Sequence, residues 1–87
     1  MATLADFMES SKRWGATIRA YDKARADVEA SLNPQTVAAY DEAFAAKEEA
    51  EGENDRLWSD LPYSARQIVE AHKGNRTFET WAISLLD

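Results

Sequence analysis

The chain has 87 residues, with 16 acidic and 10 basic side chains, three glycines, two prolines and no cysteine. That length holds one domain, residues 1–87, and not two independent cores. The absence of cysteine excludes disulfides, thiolate metal sites and cysteine nucleophiles, and a formal charge of −6 argues against non-specific attraction to nucleic acid or anionic lipid, which calls for basic surface. Scarce glycine and proline, with abundant alanine and glutamate, point to an all-α fold. Apolar runs fall far short of the ~20 residues of a membrane span, and no basic leader precedes an apolar block, so a cytoplasmic protein is expected.

The first helix is expected from about residue 3 to residue 32. Thr3 followed by Asp6 has capping-box spacing. Leu4, Phe7, Ser11, Trp14, Ile18, Tyr21, Arg25, Val28 and Leu32 then recur at alternating steps of three and four, a heptad seam interrupted by Ser11 and Arg25. At 1.5 Å per residue such a helix is ~45 Å long, and it needs a partner of similar length from the same chain or from a second copy. A homodimer through the Leu4–Leu32 seam is therefore one expectation. Gly15, inside the helix, predicts a kink or a close backbone approach.

Asn33-Pro34 ends this helix and begins the next, because proline disfavours helical geometry before it and suits a first helical turn itself. The two helices should form a long antiparallel hairpin. Val37, Tyr40 and Phe44 give the second helix large apolar groups. Ala39, Ala43, Ala46, Ala50 and Leu57 form a small-residue stripe that Trp14 and Tyr21 are expected to fill. Gly52 offers either a break or an interior position. Leu61-Pro62 punctuates again. Ser64 with Gln67 has capping-box spacing for a third helix ending at Gly74, an expected αL cap, and Thr77 caps a last helix carrying Phe78, Trp81, Ala82 and Leu85 to the C-terminus. The expected architecture is a long antiparallel helical hairpin with two short C-terminal helices packed across one end.

Charge is concentrated in one window, Asp41 to Asp60. It holds eight acids (Asp41, Glu42, Glu48, Glu49, Glu51, Glu53, Asp55 and Asp60) and two bases, Lys47 and Arg56, so it carries the whole net charge of −6. The remainder of the chain is neutral. A charge run is by default a solvated helix face; the functional reading is a surface for a basic partner. Six net charges over the ~30 Å of a twenty-residue helix amount to one per ~5 Å, against one per ~1.7 Å on duplex DNA, so the window can imitate part of a backbone path but not a duplex.

Other chemistry finds little support. Glu48 and Glu51 are half of a helical carboxylate metal site, but no second pair or Glu-x-x-His motif completes it, and no calcium-loop spacing occurs around Gly52. His72, the only histidine, has no nucleophile or acid motif beside it and reads as a helix-end residue that packs its ring edge. The last two helices lack the basic and amide side chains of a DNA-reading helix. No catalytic residue, metal or cofactor is expected. Trp14 and Trp81 read as core. Trp58 and Tyr63, just after the acidic run, read as a bundle plug or as apolar anchors of an interface.

The sequence therefore predicts a non-enzymatic interaction module. In size, acidity, helix content and lack of cysteine it resembles phage-encoded antagonists of host defences, anti-CRISPR proteins among them, a likeness of class and not of motif. That likeness implies an inhibitor or modulator docking Asp41, Glu48, Glu49, Glu51, Glu53, Asp55 and Asp60, with Trp58 and Tyr63, on a basic surface of a nucleic-acid-binding protein or complex, with no direct nucleic acid or membrane contact. The alternative is a self-associating helical protein with a structural or assembly role.

Overall fold

The computed structural model describes residues 1–87 and contains four helices and no strand: α1 (Leu4–Ala30), α2 (Pro34–Asp60), α3 (Tyr63–Lys73) and α4 (Phe78–Ser84). At the start of α1 the Asp6 N–H donates to Thr3 Oγ1 and the Thr3 N–H donates to Asp6 Oδ2, both at 3.1 Å, which closes the capping box. The Thr3 backbone N–H, and then its hydroxyl, hold the Asp6 carboxyl below its ordinary value. At the hairpin turn Asn33 Oδ1 accepts from the N–H groups of Gln35 and Thr36, each at 3.0 Å, and Pro34 occupies the first helical position, where no N–H is needed.

The partner of matching length that α1 requires is α2 of the same chain; each helix has 27 residues. α2 and α4 both pack on α1, and the core lies at the end holding the N-terminus of α1 and the C-terminus of α2. Phe7 and Trp81, both 0% exposed, pack there with Leu61, Ala65 and Val69, so α3 contributes its buried stripe to the same cluster. Trp81 Nε1–H donates to His72 Nδ1 at 2.9 Å, giving the buried indole its acceptor, and the two rings meet edge-on.

A second cluster, Trp14, Ile18 and Ala82, joins α1 to α4. Gly15 makes it possible, because a Cβ at this position would lie 2.5 Å from the Ala82 carbonyl oxygen. Of the two roles open to Gly15, the structure selects close backbone approach.

Away from this end the hairpin is an arm of two helices. Tyr21 and Tyr40 share a hydrogen bond of 3.0 Å between their hydroxyls, and the Lys47 ammonium lies 5.2 Å from the Tyr21 ring centroid. The arm makes the molecule long, 48 × 24 × 16 Å, with a radius of gyration of 14.7 Å where a compact chain of this length has about 12 Å. Its surface of 5598 Å² correspondingly exceeds the roughly 5,200 Å² that chain mass alone gives.

Several expectations change. The heptad seam is buried from Phe7 to Ile18 but not beyond: Arg25 is exposed and Leu32 is 78% exposed, because nothing is layered over the arm. Ala39, Ala43 and Ala46 face Ala20 and Ala24 across a shallow groove instead of receiving Trp14 and Tyr21; Trp14 packs lower, near Ala50, and Tyr21 pairs with Tyr40. The Ser64–Gln67 capping box does not form. Helix α3 starts two residues earlier, at Tyr63 behind Pro62, without a side-chain cap, and Gln67 Nε2 donates to the Tyr63 hydroxyl instead. Gly74 ends α3 with φ +61 and ψ −133, a positive φ but outside the αL well. Helix α4 stops at Ser84, and three hydrogen bonds of i to i−3 type carry the chain on to Asp87.

Helix α2 runs unbroken through Gly52. Asn54 is buried and Leu57 and Trp58 half-buried in the register a continuous helix gives them. That burial outweighs the roughly 1 kcal/mol propensity cost of one exposed glycine. Nothing lies within 4 Å of a Cβ added there. Gly52→Ala is therefore expected to stabilise the protein by about 0.4–1 kcal/mol and to raise Tm by a few degrees. A lower Tm in a thermal melt would show that α2 is not helical at this position.

Candidate functional site

The acids of the Asp41–Asp60 window all lie on α2, and the helical period sorts them into two rows. Asp41, Glu48, Glu51 and Asp55 share one flank; Glu42, Glu49, Glu53 and Asp60 share another, about 130° away around the axis. The strip between them carries Ala45, Gly52 and Arg56, while the opposite side packs Ala50, Asn54 and Leu57 inward. The expected single acidic face is thus a pair of flanks. It is split because i,i+1 acids such as Asp41-Glu42 and Glu48-Glu49 project about 100° apart.

Few of these carboxylates meet a cation of their own chain. Glu48 lies 3.7 Å from the adjacent Lys47 ammonium. Asp60 is held by the chain start, accepting from the Ala2 N–H at 2.6 Å and lying 3.8 Å from the Met1 ammonium, so it serves to pin the N-terminus. Asp41, Glu42, Glu49, Glu51, Glu53 and Asp55 form no ion pair. Of the basic residues of α1, Lys23 and Arg25 are engaged within their own helix and Arg19 at the C-terminus, in Lys23–Asp27, Arg25–Glu29 and Arg19–Asp87, while the exposed Lys12 and Arg13 form no ion pair.

The first row borders a cleft of about 290 Å³ between α1, α2 and α4. Its α2 wall is the stripe Glu51, Asn54, Asp55 and Trp58, at i, i+3, i+4 and i+7; Phe7 and Trp14 come from α1, and Thr77, Phe78 and Glu79 from the start of α4. The Trp58 ring is tilted against Phe7 at 5.2 Å and meets Phe78 edge-on at 5.1 Å. Trp58 therefore plugs the end of the bundle and also lines the cleft. Tyr63 does not belong here. It is 69% exposed and lines a separate shallow depression, with Arg66 and Glu70, that Trp58 also borders.

Asn54 is the residue of this cleft wall that the sequence did not single out. It is 3% exposed, and its Oδ1 accepts from Ser11 Oγ at 2.9 Å. That bond also explains the polar interruption of the α1 seam at Ser11. The signal was present in the sequence, since Asn54 stands three residues after Glu51 and four before Trp58. Glu79 and Phe78 were not legible as neighbours of Glu51, because only the fold of α4 over α1 brings them there. No group of three His, Asp or Glu side chains in the chain converges to hold a metal ion.

What fold and site together define is an all-α helical hairpin carrying unpaired carboxylates on α2 and an aromatic cleft at one flank. Comparison with known protein families, with curated proteins and with solved structures yields no match.

Proposed function

We propose that this chain is a small acidic interaction module, an inhibitor or modulator, which docks the flanks of α2 on a basic surface of a partner protein that itself handles nucleic acid, in the manner of phage anti-defence proteins. The observation that carries this reading is the set of α2 carboxylates without a cation of their own: a chain that needed them only for solubility has no reason to gather the whole of its net charge on one helix. Like charges at Glu49 and Glu53, and at Glu51 and Asp55, repel at i,i+4 and cost a few tenths of a kcal/mol per pair, which a basic partner relieves. Electrostatic complementarity of this kind raises association rates and selects among partners.

Affinity capture from a lysate, run side by side with the wild-type protein and with the variant in which Glu48, Glu49, Glu51 and Glu53 are all replaced by lysine, tests the proposal. Each replacement adds two charges, so the variant carries +2 in place of −6. The expected result is a protein retained by the wild type, released by added salt and not bound by the variant, with the helical circular dichroism of the two proteins equal. Equal retention by both refutes the reading.

A further inference from the structure

We infer that the cleft between α1, α2 and α4 is the seat of a single arginine residue from the basic partner, an inference that rests on the docking reading and adds to it a site and a side chain. Three features of the cleft match three parts of that residue. Glu51, Asp55 and Glu79 stand on it with no ion pair of their own and no lysine or arginine among its lining residues, so an incoming cation meets uncompensated negative charge. Trp58 and Phe78 supply aromatic surface on which a planar guanidinium stacks more favourably than an ammonium does. One polar group of the lining is incomplete: Ser11 Oγ donates to the Asn54 Oδ1, and the Nδ2 of this residue, which is 3% exposed, meets no acceptor within the chain. A backbone carbonyl of the incoming peptide supplies the acceptor. Trp14, 4% exposed and also lining the cleft, has a buried indole N–H without an acceptor.

The competing occupants fit less well. A volume of about 290 Å³ stands at the lower edge of the range of small-molecule sites and accommodates one long side chain. A divalent metal would need three ligands to converge, and none do. The fold's own cation closest to these rings, Lys73, lies 4.9 Å from the Phe78 centroid and donates to the Arg76 carbonyl at 3.0 Å; it shows that Phe78 accepts a cation and is itself already engaged.

The test uses capped tripeptides acetyl-Gly-X-Gly-amide, with X arginine, lysine or the neutral isostere citrulline, titrated into the full chain at low salt while the three tryptophan indole N–H signals are followed by NMR. Trp14 and Trp58 line the cleft, whereas the Trp81 indole N–H is bonded to His72 and serves as the internal control. The arginine peptide is expected to shift the Trp14 and Trp58 signals saturably, with a dissociation constant on the order of 1–10 mM, and to leave Trp81 in place. Lysine should bind more weakly and citrulline not measurably. The combined variant Glu51→Gln, Asp55→Asn, Glu79→Gln should weaken arginine binding at least about fivefold, while Glu42→Gln, Glu49→Gln, Glu53→Gln on the other flank changes it less than about twofold. An unmoved Trp81 signal certifies the fold of each variant. Equal shifts from arginine and citrulline, tighter binding of lysine, or no shift at Trp14 and Trp58 overturns the inference. If the tripeptides fail while charge reversal still abolishes partner capture, the cleft is not the seat and the docking reading stands. If charge reversal leaves capture unchanged, the docking reading fails by itself.

Discussion

Trp81→Ala is expected to cost about 3–5 kcal/mol, the range for removing a fully buried large aromatic side chain. A chain of 87 residues has roughly 4–13 kcal/mol of total stability at 0.05–0.15 kcal/mol per residue, so the substitution removes a large part of it or all of it. Three connections are lost together. The Trp81 ring stacks on Phe7 at 6.0 Å, receives the edge of Phe78 at 6.2 Å and donates its N–H to His72. Because Phe7 belongs to α1, His72 to α3 and Phe78 to α4, the side chain joins three helices at the only end of the hairpin that is more than two helices thick. Trp81→Phe retains most of the ring and loses the hydrogen bond, whose acceptor is reached by water at an exposed histidine; its cost should be well below that of alanine. Urea denaturation of the three proteins checks the order. A cost under about 1 kcal/mol for Trp81→Ala would place the centre of the core elsewhere.

Gly15→Ala should destabilise by about 2 kcal/mol, although alanine is the better helix former by about 1 kcal/mol. The added Cβ would sit 2.5 Å from the Ala82 carbonyl oxygen and 2.8 Å from its carbon, both backbone atoms that no rotamer change moves away. Helix α4 must be pushed off α1, which disturbs the buried cluster of Trp14, Ile18 and Ala82. A fall in Tm of roughly 10 °C is the expected reading in a thermal melt. The contrast with Gly52→Ala is informative: the same substitution on exposed α2, with open space around it, carries the opposite sign. A stabilised Gly15→Ala protein would mean that α4 does not lie against α1 at this point.

The hairpin was legible because its signals are local. Asn33-Pro34 and the helical spacing of Phe7, Trp14 and Ile18 act within a turn or two of their own position. So do the caps at Thr3 and Thr77. Other features depended on contacts that spacing does not encode. Gly52 left a break and an interior position both open until Asn54 and Trp58 proved to be placed by the same uninterrupted helix. Ser64 looked like a cap until Pro62 started α3 two residues earlier. The acidic window was plain in the sequence, but its division into two rows required α2 to be continuous. Its neighbour Glu79, 28 positions beyond Glu51, required α4 to fold back over α1. The cleft was thus half legible: Glu51, Asp55 and Trp58 were named from sequence as partner-binding, whereas Asn54, Phe78 and Glu79 came only with the fold.

The acidic flanks of α2 are decisive for the function proposed. The affinity of the captured partner, measured across a salt series for the wild-type protein and for the fourfold glutamate-to-lysine variant at positions 48, 49, 51 and 53, addresses them most directly. Wild-type affinity should fall steadily as salt rises, and the variant should show no measurable binding at any salt while keeping its helical spectrum. An affinity that neither salt nor reversal changes would contradict the role given to these carboxylates.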